Sequence, residues 1–156
     1  MSVILKIGVV LASFTAMEAV AWLTHKYVMH GLLWNLHRDH HKKEGYSFFE
    51  KNDFFFLIFA IPGMISLFIG SLNDFNAFFW IGLGITIYGF AYFLIHDVFI
   101  HQRFKWLRKT DSVYFRAIRR AHKMHHKHIN KEDGECFGML WVPWKYIREE
   151  SVRKTA

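Results

Sequence analysis

The sequence predicts an all-α fold: a polytopic membrane bundle of three helical spans with a histidine-rich cap for two metal ions. Of its 156 residues, 53% are hydrophobic and 19% aromatic, which is a high share for a soluble chain of this length. Lys and Arg are absent from residues 52 to 102 and dense on both sides of that gap. None of the eleven histidines lies within the apolar span cores. A fourth span would form only if a marginal segment re-enters the membrane.

Two apolar stretches are each long enough to cross a bilayer. Residues 54–72 supply 19 uncharged positions and residues 75–95 supply 21, close to the roughly 20 that about 30 Å of hydrocarbon requires. Only "ND" at 73–74 separates them, so they form a hairpin. A third span over about 3–24 carries Glu18 and is interpreted as a retained anchor, not a cleaved signal peptide. The chain is expected to be one membrane domain, 1–156, with histidine-rich segments at 25–52 and 96–156.

The distribution of basic residues predicts which side of the membrane carries the histidines. With three spans, the basic residues near 25–52 and those after residue 102 lie on one side, which the positive-inside rule makes cytoplasmic. We therefore expect an integral protein of a bacterial cytoplasmic membrane with its histidine site facing the cytoplasm. Membrane topology explains the formal charge of +7 without a nucleic-acid partner. Cys136 is the single cysteine, so an intrachain disulfide and a thiolate metal cluster are both excluded.

Ten of the eleven histidines fall into two copies of one spacing scheme, HxxxxH followed by HxxHH. Only His128 is left over, and we assign it no role. An isolated histidine here would be read as a polar residue at the membrane interface, but chance does not reproduce two matched sets. The ten residues are His25, His30, His37, His40 and His41 in the first copy, and His96, His101, His122, His125 and His126 in the second.

The two motifs make different geometric demands on a helix. At about 100° per residue, positions i, i+3 and i+4 share one helix face, so each HxxHH is predicted to point three imidazoles at a common point. Positions i and i+5 are splayed by about 140°, so the helix must bend at each HxxxxH or its two members must serve different metals. Gly31 is a plausible end for the first helix. Nitrogen ligands without cysteine suit iron or zinc, and ten exceed what one ion can hold.

The histidine motifs also carry a family resemblance. The stretches "HKYVMHG" (25–31), "HRDHH" (37–41), "HDVFIHQR" (96–103) and "AHKMHH" (121–126) resemble the bacterial β-carotene hydroxylases, within the membrane fatty acid hydroxylase and sterol desaturase superfamily. The resemblance implies a non-haem di-iron monooxygenase that uses O2 to hydroxylate carbon 3 of β-ionone rings, converting β-carotene through β-cryptoxanthin to zeaxanthin. It implies that all ten histidines of the two copies are iron ligands.

We also expect acidic residues that orient the ligand histidines and a separate protein that supplies electrons. Glu18 is a candidate to steer a ligand histidine through an intermediate group, and Asp39 and Asp97 are candidate acceptors for ligand N–H groups. Because the sequence has no dinucleotide fingerprint and no haem or iron–sulfur ligand set, a separate donor is expected, with ferredoxin and its reductase the favoured pair.

The sequence is also compatible with two other functions. One is an oxygenase or desaturase acting on a sterol or fatty acyl chain with the same ten ligands. The other is a non-catalytic membrane protein that binds or transports metal. This last alternative predicts ligands distributed across the spans, whereas the sequence gathers them at one side.

Overall fold

A computed structural model describes residues 1–42, 48–130, 132 and 134–155. Within these ranges the chain is helical and contains no β-strand, which confirms the all-α prediction. Two π-helical segments, Thr24–Leu32 and Leu94–Ile100, continue the first and fourth α-helices, and a 3₁₀ turn, Lys51–Asp53, precedes the third. The α-helices are α1 (Val3–Leu23), α2 (Trp34–His41), α3 (Phe54–Leu72), α4 (Ala77–Phe93), α5 (Val113–His125) and α6 (Trp144–Thr155).

Three helical segments are long and apolar enough to cross a membrane. They cover Val3–Leu32, Lys51–Leu72 and Ala77–Ile100, with 30, 22 and 24 residues. Their surfaces expose large apolar side chains such as Phe56 (63%) and Phe68 (64%), as a lipid environment requires. Three spans are thus confirmed, and no fourth is found among the described residues. The protein is integral to a membrane.

The turn between α3 and α4 is longer than the two residues expected from the sequence. Asp74 and Phe75 both adopt positive φ, 53° and 52°. Asn76 then caps α4, because its side-chain oxygen accepts the Phe78 backbone N–H at 3.0 Å. The second arm of the hairpin therefore begins at Ala77 and not at residue 75.

Two glycines allow α4 to lie close to both of its neighbours. A Cβ atom added at Gly82 would lie 2.6 Å from the Leu67 nitrogen of α3. A Cβ atom added at Gly84 would lie 2.6 Å from the Val10 carbonyl oxygen and 2.7 Å from the Ser13 Cβ of α1. Small residues at such crossings let membrane helices approach until their backbones touch. The central position of α4 brings the histidine-bearing ends of α1 and α4 to the same end of the bundle.

Outside the spans, α5 and α6 form a helical cap. Ser112 caps α5 by accepting the Phe115 N–H at 3.5 Å, and the buried face of α5 includes Ala117 and Ala121, which pack against Tyr146 of α6. The Arg120 guanidinium pairs with Glu149 of α6 at 2.7 Å. This packing fixes the orientation of α5, whose last turn carries the second HxxHH.

Replacing Gly84 with alanine is expected to separate α4 from α1 and destabilise the bundle by about 1–3 kcal/mol, the usual cost of overpacking. Gly89→Ala is the matched control, because a Cβ at Gly89 has no neighbour within 4 Å. The apparent unfolding temperature in detergent should fall for Gly84→Ala and stay level or rise for Gly89→Ala. An equal effect of the two substitutions would contradict the proposed close approach.

Candidate metal centre

The structure brings the ten histidines of the two spacing copies together at one end of the spans. Nine of them form two groups in which the ligand atoms lie within 4.8 Å of one another. The tenth, His96, contacts the second group, because its Nε2 lies 3.1 Å from Nε2 of His40. His128 is exposed and belongs to neither group. We call the first cluster His25, His30, His37, His41 and His125, and the second cluster His40, His96, His101, His122 and His126.

The first HxxxxH lies within a π-helical segment, and the second has His96 within such a segment and His101 as its C-terminal cap, which the sequence did not predict. A π-helix places its hydrogen bonds between residues i and i+5, so residues five apart come to lie one above the other. The His101 N–H donates to the His96 carbonyl at 2.9 Å in this pattern, and the Leu33 N–H donates to the Val28 carbonyl at 2.8 Å. Each pair therefore reaches one cluster through a π-helical turn, a departure from the ideal α-helix that the spacing argument did not specify. Gly31 does interrupt the first helix, with φ −120° and ψ −106°.

Each HxxHH divides between the two clusters, so the prediction of a common point for all three imidazoles was wrong. His37 and His41 share the first cluster with 3.1 Å between their Nε2 atoms. His40 lies in the second cluster. Consecutive residues of a helix point about 100° apart, so His40 and His41 are directed to different points.

The second HxxHH divides in the same way. His122 and His126 share the second cluster at 2.9 Å, whereas the Nε2 of His125 lies 3.1 Å from that of His30 in the first. Each half of the chain thus lends the middle member of its HxxHH to the other half's cluster. The clusters adjoin where the His41 and His126 rings stack with centroids 4.3 Å apart. Neither cluster can assemble from one half of the chain alone.

Hydrogen bonds at Nδ1 orient six of these imidazoles. With Nδ1–H donated to an oxygen, the tautomer leaves a lone pair on Nε2, the atom that faces the other rings. The acceptors are the Phe137 carbonyl for His25 (2.9 Å), the Ile129 carbonyl for His30 (2.7 Å), Asn52 Oδ1 for His37 (2.6 Å), Glu50 Oε2 for His40 (2.9 Å), Asp97 Oδ2 for His96 (3.2 Å) and the Glu135 carbonyl for His125 (3.0 Å).

The facing Nε2 atoms fit metal ions in both clusters. In the pairs His25–His37, His30–His125 and His40–His96, two Nε2 lone pairs face each other at 3.1 Å, where neither atom has a proton to donate. Two nitrogens bound about 2.05 Å from one metal ion lie about 2.9 Å apart at a right angle and about 3.3 Å apart in a tetrahedron. A shared cation therefore turns these repulsive contacts into ligand pairs.

Burial keeps the imidazoles neutral, which metal binding requires. Desolvation lowers the pKa of His37 to about 3 and that of His126 to about 4. Burial, joined by repulsion from His30, lowers the pKa of His125 to about 2. The pKa of His122 is also held well below its ordinary value, by burial first and by neighbouring histidines second. At neutral pH the clusters present lone pairs and not positive charges.

Glu18, Asp39 and Asp97, the three acidic residues expected to orient ligand histidines, differ in what they contact. Asp97 accepts the N–H of His96, as its sequence neighbourhood predicted. Asp39 does not accept a hydrogen bond from a histidine: its Oδ2 accepts the backbone N–H of Lys51 at 2.6 Å and so fixes the 3₁₀ turn to α2. Sequence reasoning missed two acceptors: Asn52 in that turn, which accepts from His37, and Glu50 just before it, which accepts from His40.

Glu18 acts on the first cluster through the segment that follows Gly134. Its Oε1 accepts three backbone N–H groups, from Met139 (2.9 Å), Leu140 (2.8 Å) and Trp141 (2.8 Å), and its Oε2 accepts the Tyr88 hydroxyl at 2.7 Å. The Phe137 carbonyl just before this run holds Nδ1 of His25. Glu18 thus positions the acceptor of a cluster histidine and has no place in the cluster itself.

Glu18→Gln should weaken this anchor, because hydrogen bonds to a charged acceptor are about twice as strong as neutral ones. We expect a loss of about 1–3 kcal/mol in stability and a lower metal content after purification. Thr15→Ala is the control on the same helix, since its hydroxyl donates to the Leu11 carbonyl one turn earlier in that helix. Unfolding in detergent would measure the stability, and metal analysis would measure the metal content. If Glu18→Gln changed neither, Glu18 would not position the acceptor of His25.

The matching family model is fatty acid hydroxylase, which covers residues 10–149. The beta-carotene hydroxylase of Pantoea ananas is 36% identical over 135 residues, 86% of this chain and 76% of the relative. That of Paracoccus sp. (strain PC1) is 34% identical over 136 residues, 86% of this chain and 83% of the relative. The chloroplastic beta-carotene 3-hydroxylase of Gentiana lutea is 37% identical over 131 residues, 81% of this chain and 40% of the relative.

No solved structure matches the chain significantly. The family assignment therefore rests on the sequence comparisons, which span both histidine copies, and on the two histidine clusters at the end of the membrane spans. The chain belongs to the fatty acid hydroxylase family.

Proposed function

We propose that the protein is a β-carotene 3-hydroxylase, a non-haem di-iron monooxygenase that converts β-carotene through β-cryptoxanthin to zeaxanthin. The observation that carries the proposal is the pair of adjoining histidine clusters at the membrane end of a chain similar to β-carotene hydroxylases of bacteria and plants. Two ions in adjoining positions suit a reaction that must bring O2, two electrons and an unactivated C–H bond together.

Iron suits the clusters better than zinc for this reaction. Oxidation of a C–H bond needs a redox-active metal, because no side chain supplies such an oxidant and zinc has no redox chemistry. Iron bound by the ten histidines would supply the reduction of O2. The chain's own residues hold the Nε2 lone pairs in place through Nδ1 bonds such as those to Asn52 and Asp97.

The position of the clusters suits an apolar substrate. His25 and His96 lie on the continuations of α1 and α4, so the clusters meet the end of the spans directly. A carotenoid dissolves in the bilayer, and its ring can reach this end from between the helices without passing through water. The helices α2, α5 and α6 lie outside the spans at this end, and we place the approach of a soluble reductant here.

Basic residues beside the clusters support docking of an acidic electron donor, with ferredoxin and its reductase our proposed pair. The two HxxHH motifs share a wider pattern, "HRDHHK" at 37–42 and "HKMHHK" at 122–127. Lys42 follows His41 and Lys127 follows His126, the two rings that stack where the clusters adjoin, and both lysines are exposed. A positive rim at this edge steers an anionic partner toward the metals. By the positive-inside rule, this end faces the cytoplasm of a bacterial cell.

A second candidate is hydroxylation of a fatty acyl chain, which the matching family model favours by its description. It uses the same clusters and differs only in the substrate. Substrate feeding separates the two candidates.

The direct test is expression in bacteria that accumulate β-carotene and are supplied with a ferredoxin system, beside a His37→Ala copy. We expect pigments heavier by one and two oxygen atoms, matching cryptoxanthin and zeaxanthin in chromatography and mass spectrometry, and their absence in the variant because a first-cluster ligand is lost. Unchanged β-carotene despite good membrane expression would contradict the carotenoid assignment. Hydroxylated acyl chains in the same membranes would instead support the second candidate, hydroxylation of a fatty acyl chain.

The docking edge makes a separate prediction. Lys42→Glu and Lys127→Glu, each alone, should lower kcat/KM for the reduced donor by about 3–10-fold at low ionic strength, and the loss should shrink with added salt. Lys6→Glu is the control, because Lys6 lies on the first turn of α1, at the end opposite the clusters. Equal effects of the three substitutions on donor kinetics would contradict docking at this edge.

A further inference from the structure

The two clusters differ in what holds their imidazoles. Every Nδ1 acceptor identified in the first cluster is neutral: three backbone carbonyls and the Asn52 amide. The two acceptors identified in the second cluster are carboxylates, Glu50 for His40 and Asp97 for His96. These two histidines face each other with Nε2 atoms 3.1 Å apart. The anionic acceptors therefore act on one ligand pair.

A single guanidinium lies beside both carboxylates, hydrogen-bonded to Asp97 and at ion-pair distance from Glu50. Arg103 Nη1 donates to Asp97 Oδ1 at 2.9 Å, and Nη2 lies 4.0 Å from Glu50 Oε2. Asp53 completes the arrangement by accepting from both Nη atoms at 2.8 and 2.9 Å, and it contacts no histidine. The Arg103 side chain is 18% exposed, so solvent screens these contacts only in part. The pKa of Arg103 is raised by its hydrogen bond to Asp53, which keeps the guanidinium charged.

The kind of acceptor changes what an imidazole does to its metal. An N–H donated to a carboxylate makes the ring a stronger base at its other nitrogen than an N–H donated to a carbonyl, and the stronger donor holds a cation more tightly. It also favours the higher oxidation state, because that state draws more electron density from its ligands. Outer-shell partners of this kind typically change metal affinity by about 10–100-fold.

We propose that the two metal positions are inequivalent: the second cluster binds iron more tightly and is the more easily oxidised, because Glu50 and Asp97, held by Arg103, act on His40 and His96. Glu50 and Asp97 are positioning residues, acting through histidines. The inference rests on the proposed two-iron function but is independent of the substrate. It also sets an order of loading, with the second cluster filled before the first.

The experiment uses Fe²⁺ added anaerobically to the purified full chain in detergent, in competition with a chromophoric chelator. The wild-type protein should bind two ions with affinities about 10–100-fold apart. Asp97→Asn should weaken the tighter ion by a similar factor and leave the weaker one unchanged. Asn52→Asp is the reverse exchange in the first cluster, since it gives His37 a carboxylate acceptor, and should tighten the weaker ion.

Asp53→Asn is the structural control. It weakens the contacts of Asp53 with Arg103 and with the Glu50 backbone N–H (3.1 Å), but it leaves both carboxylate acceptors and the Arg103–Asp97 hydrogen bond in place, so it should change the tighter affinity much less than Asp97→Asn. Equal affinities of the two ions in the wild-type protein, or a loss at the weaker ion in Asp97→Asn, would overturn the proposal. A matching loss in Asp53→Asn would overturn it as well, by showing that general disturbance of the network is the cause.

The same titration separates this inference from the proposed function. Fewer than two ions per wild-type chain would contradict the two-iron function. Two ions of equal affinity would contradict only the inequivalence.

Discussion

The structure depends on holding pairs of histidine Nε2 lone pairs face to face at the end of the spans. In three pairs of buried imidazoles, both Nδ1 atoms are committed to oxygen acceptors and both Nε2 atoms meet at 3.1 Å. Neutral rings in this arrangement repel one another, and only a cation between them gives each lone pair a favourable partner. The helical bundle, the cap and the outer hydrogen bonds hold ten imidazoles in an arrangement that they would not adopt alone.

The fold holds the lone pairs in place by joining the two halves of the chain, neither of which contains a complete histidine cluster. The glycine contacts of α4 bring the ends of α1 and α4 together, and the π-helical segments align the members of each HxxxxH. The division of each HxxHH then connects the halves, because His40 and His125 each complete the other half's cluster. A displacement of α4 in the membrane would therefore move His96 and His101 away from the histidines of α2 and α5 in the second cluster. The packing of the helices within the bilayer thus determines the positions of the histidines at its surface.

Much of this arrangement could be predicted from the sequence, because spans and ligands leave local signals. The charge-free stretches predicted the three spans, and the repeated spacing predicted which histidines come together. The assignment of His40 and His41 to different clusters could not be predicted, since it depends on where the opposite half lies. The π-helical turns were missed because the spacing was read on an ideal α-helix. In the sequence the two HxxxxH motifs were the available signal for them.

The outer contacts were harder to predict than the ligands. Backbone carbonyls such as that of Phe137 have no sequence signature, and Arg103 reaches Asp53 across 50 residues of chain. Asp39 was a reasonable acceptor by proximity, yet its carboxylate is taken by the 3₁₀ turn. Asn52 and Glu50 lie in a short polar run just before α3, and nothing in the sequence marks this run as a partner of the histidines. Such residues become functional candidates only when the distances to Nδ1 atoms are known.

Iron K-edge X-ray absorption on the anaerobically loaded protein, combined with an iron count, would test directly whether the two histidine clusters are metal centres. We expect two irons per chain, a first shell of nitrogen and oxygen at about 2.0–2.2 Å, and outer-shell scattering from several imidazoles on each iron. The two facing halves then supply the ligands together. One iron per chain, or a shell with few imidazoles, would contradict the arrangement of two histidine clusters as metal centres.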